Sequence, residues 1–460
     1  MTKRSIASKK LWKLGIKDFN TQYFDFNKDG DLIAKEGNNI YNLRYLAEKF
    51  GTSLEILFPY IIEERVEDFL DLAASIIKKN KYQGKFFYHY PMKANQTKEV
   101  VLAVAGEGAN IEVSSYNELY IVKRMLEQES FNEKIRILCN GPKTNKYINL
   151  IDELQHRGLK VIPIIEGPNE LKIFQFSKYD VGIRLDIPVK SKTNWNKQID
   201  RFGFARKEIL KMSSFKNLKV LHYRIGKIEK PSDIIENTKY ALNVYFKLKE
   251  LNPSLDTLDI GGGMTVPFGR DKKYSADKIL EKVFELLQKE SDKRGIPHPN
   301  LICEWGRYMV APAQITIFKV IDTKSVSNKS VAGKKWYVID GSLMNDLVDT
   351  WGINQKWFVV PVTNEFDGKL NNIWISGSSC DSDDIYTGGN NDEAVTLPDY
   401  TYDQNDPLYI AFFDTGAYQD AMGSHHCMLS APMRIIAENG HIVVAKKREG
   451  PEDVGKEFGW

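Results

Sequence analysis

The chain has 460 residues, and its 64 Lys+Arg against 61 Asp+Glu leave a formal charge of +3. That near-cancellation gives no electrostatic reason to expect nucleic acid or an anionic membrane as partner, and no apolar run is long enough to span a bilayer. The widely spaced Cys139, Cys303, Cys380 and Cys427 offer neither paired zinc spacing nor a disulfide scaffold, which fits a reducing cytoplasm.

The start, MTKRSIASKKLWKLGIKDF, is basic without the apolar stretch of a secretory signal. Asp18 is its first acidic residue, so a mitochondrial-type presequence competes with a solvated basic start, the simpler reading. TQYFDF and DLIAKEG then read as hairpin strands. Asp25, Asn27, Asp29, Gly30 and Glu36 satisfy the bare EF-hand pattern D-x-N-x-D-G-x5-E. Tyr23-Phe24-Asp25-Phe26 does not resemble an entering helix, however, and Gly37-Asn38-Asn39 stops an exiting one. A hairpin turn at Lys28-Asp29-Gly30 explains the same residues, and no metal is assigned.

A helix with Val66, Phe69, Leu70, Ala73, Ile76 and Ile77 on one face comes next. Eight short apolar or β-branched runs follow: FFYHYPM (86–92), NIEVSS (110–115), IRILCN (135–140), KVIPIIE (160–166), DVGIRLD (180–186), KVLHYRI (219–225), TLDIGGG (257–263) and LICEWGR (301–307). Stretches of helical period separate most of them; in 277–289, Ile279, Val283, Leu286 and Leu287 form one stripe. Eight strands alternating with helices predict an α/β fold, a parallel (β/α)8 barrel over residues 51–311. After about residue 311 the pattern changes to QITIFKVID, KWYVID, KWFVVPV, NIWISG, LYIAFF and HIVVAKK, strand-like and with little helical period. Residues 312–460 are therefore expected to form a second, β-rich domain, joined by residues 1–50.

In such a barrel the chemistry lies at the C-terminal strand ends, and phosphate tends to bind after strands seven and eight. The first run ends at Lys93, the second carries Glu112, the fifth Arg184, and the sixth His222 and Arg224. The seventh runs into Gly261-Gly262-Gly263 and the eighth into Glu304-Trp305-Gly306-Arg307. A glycine triplet lets backbone N–H groups converge on an anion, although alone it equally fits a tight turn. Lys93 could be a solvated surface residue, but apolar flanks would depress its pKa as Schiff-base chemistry requires. Glu304 could be structural, or could pair with a protonated pyridine nitrogen and keep the ring an electron sink. Lysine, anion nest and carboxylate together specify pyridoxal phosphate better than any one of them.

With these residues the sequence resembles the alanine-racemase-fold decarboxylases, and among them the biosynthetic arginine decarboxylases, over nearly the whole chain. The lysine motif is Tyr90-Pro91-Met92-Lys93-Ala94-Asn95-Gln96, the glycine loop Leu258 to Gly263, the Glu-x-Gly-Arg motif Glu304 to Arg307, and the Cys-Asp-Ser motif Cys380-Asp381-Ser382. Phe413 to Gln419 is similar to the phosphate-binding tyrosine segment. Asn140-Gly141, Asp349-Thr350-Trp351-Gly352-Ile353 and Cys380 to Asp383 suggest the arginine branch.

The resemblance implies a cofactor bound covalently to Lys93 and a phosphate held by Gly261, Gly262, Gly263, Gly306, Arg307 and Tyr418. It places Glu304 at the pyridine nitrogen, with Glu112 and His222 also lining the cofactor. It implies a homodimer with shared active sites, into which Cys380 enters as the acid that reprotonates the substrate carbon and Asp381 as a reader of the substrate's far end. Arg184, Asp349 and Asp383 complete the candidate substrate contacts; Asp381 and Asp383 are two apart, so an extended segment would point both carboxylates the same way. Where the family has His-x-His-x-Gly-Ser, this chain reads His222-Tyr223-Arg224-Ile225-Gly226-Lys227. Arg224 thus replaces a stacking histidine, with Glu112 as its expected counter-ion, and Lys227 replaces a phosphate-binding serine. Only about thirty residues separate Arg307 from Trp336, where the arginine enzymes carry a large helical insertion. His425-His426-Cys427 is read as a loop near the dimer interface, since zinc would need a fourth ligand.

The expected reaction is decarboxylation of a basic amino acid, arginine to agmatine first. Lysine, ornithine, diaminopimelate or a carboxylated polyamine is the alternative substrate, and a pyridoxal-phosphate-binding homologue without turnover the alternative class.

Overall fold

A computed structural model describes residues 11–19, 21–128, 134–188, 201–212, 214–226, 228, 231–267, 275–363, 369–386 and 394–460. The chain divides into two units. One, Glu63–Thr265 with Ser275–Met309, contains β1 (Phe86–Pro91), β2 (Asn110–Val113), β3 (Arg136–Cys139), β4 (Lys160–Ile165), β5 (Val181–Arg184), β6 (Leu218–His222), β7 (Thr257–Asp259) and β8 (Asn300–Cys303). They pair in chain order, all parallel, and β8 closes on β1 with Cys303 opposite Tyr88. Strands covered on both faces need apolar side chains on both, which is why these runs read as continuous rather than alternating. Leu138, Ile162, Ile164, Val220 and Ile302 form one buried cluster of the barrel.

The outer helices follow from their stripes. Ala276–Asp292 buries Ile279, Leu280, Val283, Phe284 and Leu287, with Leu286 only half-buried at the edge. Thr144 caps Asn145–His156 by accepting from the Tyr147 N–H. From the helix Pro59–Asn80, Phe69 sets its ring 5.4 Å from those of Tyr88 and Trp305.

The other unit comprises Met1–Ile62, Val266–Tyr274 and Val310–Trp460. Its larger sheet has ten strands around the twelve-residue Gln314–Ser325, which pairs with Lys335–Ile339, Tyr409–Phe412 and Leu54–Leu57. Starting the barrel at residue 51 therefore needs correction. Leu54–Leu57 is entirely buried because it lies between Gln314–Ser325 and Met433–Glu438, covered as a central strand. Sequence patterning also missed Met433–Glu438, Val395–Pro398 and Ile385–Tyr386 as strands.

The N-terminal hairpin forms as expected, with Phe24–Phe26, Leu32–Glu36 and Asn39–Asn42 making a small antiparallel sheet. At its turn Asn27 Oδ1 accepts from the N–H groups of Asp29 and Asp31, each at 2.9 Å, and Gly30 takes a φ of +84°. Asp25 pairs with Lys35 at 2.9 Å, so the residues matching the calcium pattern build a turn. Among the described residues, no helix is long and apolar enough to cross a membrane.

A buried ion pair crosses the middle of the sheet. Arg434 donates to Glu55 Oε2 from Nη2 at 2.8 Å and from Nε at 3.0 Å, and also meets Asp420. Truncating one member strands a buried charge, so Arg434→Ala should lower the unfolding free energy in urea by about 3–5 kcal/mol. Glu55→Leu combined with Arg434→Met and Asp420→Asn should lose far less, since no partnerless charge remains. A single-variant loss under about 1 kcal/mol would mean the pair is solvated.

Candidate active site

Lys93 emerges where β1 ends, in a short helical turn, Met92–Ala94, whose Met92 and Ala94 are buried. The Tyr90 hydroxyl donates to the Asn95 carbonyl at 2.8 Å and ties that turn down. A Cβ on Gly306 would stand 2.7 Å from Pro91 and 2.8 Å from Ala94, so glycine is what lets the β8 exit lie against the lysine turn.

The Lys93 ammonium donates to Oε2 of Glu112, whose side chain is fully buried while that of Lys93 is about one-third exposed. Oε1 of the same carboxylate accepts from Ser114 Oγ at 2.8 Å and from Asn140 Nδ2 at 2.9 Å. Asn140 Nδ2 also donates to Glu304 Oε1 at 3.0 Å. Lysine, two carboxylates and one amide from β1, β2, β3 and β8 thus form a continuous chain. Beyond Glu304 stand His222 and Asp259, with one donor atom of each of the three within 4.8 Å of the others and all buried. His222 Nε2 is 3.7 Å from Glu304 Oε1, an ion-pair distance rather than a hydrogen bond.

Burial acts on every group here, and neighbours decide the outcome. Burial alone would raise Glu304, but His222, Lys93 and the Asn140 amide outweigh it and hold that carboxyl below the ordinary range. Burial raises Asp259 well above it, reinforced by the Glu304 charge, so Asp259 keeps its proton. Burial raises Glu112 as well, opposed by Lys93. His222 is pushed below its usual value by burial, against the opposing pull of Glu304.

After β7, Gly261 and Gly263 take φ values of +62° and +119°. Cβ atoms on the triplet would stand 2.5 Å from the Tyr223 carbonyl, 2.8 Å from that of Glu304 and 2.1 Å from that of Gly226. The loop backbone is therefore packed against the exits of β6 and β8, which alone demands glycine. Asp259 Oδ1 accepts the Gly261 N–H at 2.8 Å. Arg307 follows on the helix Gly306–Val310.

Among the described residues, both nitrogens of His222, Asp259 Oδ2 and Asn140 Oδ1 are buried with no hydrogen-bond partner. Such a ring of unmatched polar atoms beside a lysine fits a polar aromatic ligand that can bond them. The His222, Asp259 and Glu304 donors could also approach a cation, but the raised pKa that keeps Asp259 protonated leaves Glu304 as the one charged carboxylate among them.

A family model described as "Pyridoxal-dependent decarboxylase, pyridoxal binding domain" matches residues 71–311, just over half of the chain. The chain belongs to this family. Its cofactor is pyridoxal phosphate, and it is a pyridoxal-dependent amino-acid decarboxylase. The chain is 22% identical to the biosynthetic arginine decarboxylase of Bacteroides thetaiotaomicron, across 89% of this chain and 85% of that one. The solved biosynthetic arginine decarboxylase of Campylobacter jejuni superposes with a TM-score of 0.80 at 19% identity, covering 100% of this chain and 92% of that one. A diaminopimelate decarboxylase from M. jannaschii gives 0.77 at 23%, covering 95% and 98%.

Several expected site residues stand elsewhere in this decarboxylase. Arg224 is exposed, and Glu112 is engaged by Lys93, Ser114 and Asn140, so the expected Arg224–Glu112 pair does not form. The reason is that β6 ends at His222, and the following Tyr223 anchors outward by its 2.6 Å hydrogen bond to Thr238. Lys227 lies outside the described residues. Arg184 pairs with Glu166 at 3.2 Å and lies over the Phe202 ring. Glu166 and Lys143 were not singled out in the sequence. The Lys143 side chain is wholly buried, donating to the Gly141 and Ile164 carbonyls and to Glu170.

In the β unit, Asp349 is buried against Gln419, whose Nε2 donates to it at 2.9 Å. Asp381 and Asp383 do not form the side-by-side fork that an extended segment would give. Asp383 N donates to Asp381 Oδ1 and Asp384 N to the Asp381 carbonyl, which makes 381–384 a turn. Tyr418 is half-buried with a φ of +72°, and Cys380 is exposed.

Two predictions follow from the shared amide and the neutral carboxyl. Asn140→Leu removes the amide donor from both buried carboxylates, leaving Glu112 Oε1 with Ser114 alone. It should weaken pyridoxal phosphate binding by about 10- to 100-fold in a spectral titration, the size of a hydrogen bond to a charged group; unchanged affinity would remove Asn140 from the site. Asp259 has its folded pKa raised above the ordinary 3.8, so its stabilising contribution is present below that value and is lost as pH rises towards the folded pKa. Asp259→Asn carries no such loss. In urea unfolding the variant should therefore gain on wild type between about pH 4 and 7. A pH-independent difference would show Asp259 to be ionised in the fold.

Proposed function

We propose that this enzyme decarboxylates a basic amino acid, arginine first, releasing carbon dioxide and agmatine. The observation that carries the reading is the chain Lys93–Glu112–Asn140–Glu304, which joins an amine to a buried carboxylate held anionic at the mouth of a parallel barrel. Pyridoxal phosphate, when bound, supplies the electron sink that receives the pair left as the substrate carboxylate departs. Lys93 is the residue to hold it covalently, and Glu304 the anion to keep a proton on its ring nitrogen. Gly261, Gly262, Gly263, Gly306 and Arg307 are proposed for the phosphate, and His222 for the ring's buried side.

Cys380 is proposed to deliver a proton from Sγ to the substrate carbon. The neighbouring Cys427 sulfur raises its pKa, which favours the protonated thiol that an acid requires. Asp381, with a partly exposed carboxylate, is proposed to read the far end of the substrate. A guanidinium can engage a carboxylate through two parallel bonds, whereas an ammonium offers a point charge. The names of the relatives support arginine. A second reading, a different basic substrate, draws on the stretch between Arg307 and Trp336, where the helix Gly306–Val310 leads through residues 311–313 into Gln314–Ser325 without a large helical insertion. A homodimer with shared sites accompanies both readings.

Borohydride should fix the cofactor to the peptide containing Lys93, and carbon dioxide release should be fastest with arginine in a panel with lysine, ornithine and diaminopimelate. Cys380→Ala should slow turnover by ~10²–10⁴-fold, the usual contribution of a positioned acid. Labelling of another lysine would overturn the site, and faster release from another substrate would replace arginine.

A further inference from the structure

Two cysteines separated by 47 positions meet on the β unit: Cys380 Sγ lies 3.6 Å from Cys427 Sγ, and both residues are exposed. Both loops are anchored to one turn, residues 341–345. From the Cys380 loop, Asp384 accepts the Leu343 N–H at 2.7 Å and the Met344 N–H at 3.2 Å through Oδ1, and the Ser379 N–H at 3.2 Å through Oδ2. Gly377 makes room for that carboxylate, since a Cβ there would stand 2.2 Å from it.

From the other side, Asn345 Nδ2 donates to the His426 carbonyl at 3.0 Å, and its Oδ1 accepts from Ser424 Oγ at 2.9 Å. Cys427 and Met428 are held at φ values of +58° and +55°, a region costly for side-chain-bearing residues unless the surroundings impose it. His426 Nε2 lies 3.4 Å from Asp381 Oδ2, a second contact across the same two loops.

We infer that Cys380 and Cys427 form a peroxide-oxidisable dithiol that closes to an intrachain disulfide. The S–S bond is about 2.05 Å, so the sulfurs need approach by only about 1.5 Å, within reach of side-chain rotation. One thiolate attacks an oxygen of hydrogen peroxide: an S–O bond forms, the O–O bond breaks, and the departing hydroxide takes a proton as water. The second sulfur attacks the sulfenic sulfur; S–S forms, S–O breaks, and a second water leaves. The two thiols lose two electrons and two protons in all, and the peroxide is reduced to two waters. Among the described residues, no third His, Cys, Asp or Glu donor joins the pair within 4.8 Å, which favours oxidation over a metal. Cys139 and Cys303 are buried in barrel strands, where burial pushes Cys139 up to about 12 and Cys303 well above its usual value, so they stay inert.

The crosslink stands on this geometry, and its effect on turnover rests on the proposed role of Cys380, whose S–H it consumes. The test is to treat the cofactor-loaded enzyme with equimolar hydrogen peroxide, alkylate, digest and weigh the peptides. The Cys380 and Cys427 peptides should appear joined with the loss of two hydrogens and separate again with dithiothreitol. Turnover should fall more than tenfold in step with the crosslink and return with it. Cys427→Ser should give no crosslink, and with a second equivalent of peroxide its Cys380 should continue to sulfinic acid, which dithiothreitol does not reverse. Oxidation of wild type without the 380–427 linkage, or linkage only between isotopically distinguished chains, would overturn the inference. A crosslink with turnover intact would uphold the dithiol and remove Cys380 from the chemistry.

Discussion

One side-chain amide stands between two buried carboxylates, and the barrel's working end depends on it. Asn140 Nδ2 donates to Glu112 at 2.9 Å and to Glu304 at 3.0 Å. Without that donor and the Lys93 ammonium, two like charges would face each other out of reach of water, and at least one would take up a proton. The contact is also architectural. Glu112 stands on β2, Asn140 directly after β3 and Glu304 directly after β8, while Lys93 follows β1, so the polar chain crosses the seam where the last strand meets the first. These side-chain hydrogen bonds thus add to a closure that the β8–β1 ladder makes.

That arrangement separates the carboxyls by role. Glu304 receives the amide and the influence of two basic side chains and stays charged; Asp259, a few ångströms away, receives one backbone N–H and stays protonated. Groups of like chemistry pushed in opposite directions mark a site built to handle protons. The glycine loop fits the same economy of space. Its backbone is packed so closely against the β6 and β8 exits that any Cβ would collide with a carbonyl, which holds Asp259 and Glu304 at fixed separation.

The β unit holds two cysteine-bearing loops against one turn. It does so by folding acidic and amide side chains back onto loop N–H and carbonyl groups. Asp384 and Asn345 between them brace the loops carrying Cys380 and Cys427. Arg434 and Glu55 secure the sheet beneath, joining a strand from near the N-terminus to one from near the C-terminus.

The sequence by itself determined the eight barrel strands, because doubly covered parallel strands must be runs of apolar residues, and it determined the motif residues that each run carries to its end. It also made the N-terminal hairpin legible through its turn chemistry. It misjudged Leu54–Leu57, since four buried residues read alike in a strand of either unit until pairing partners are known. Arg224 and the Asp381–Asp383 fork were misjudged for one reason: alternation of side chains holds only while a strand continues, and in both places hydrogen bonds end the extended segment. Only the tertiary structure decided that Asn140 bridges two carboxylates, that Asp259 stays protonated and that two distant cysteines touch. Those properties arise from burial and from distances between residues far apart in the chain, which local propensity and spacing do not encode.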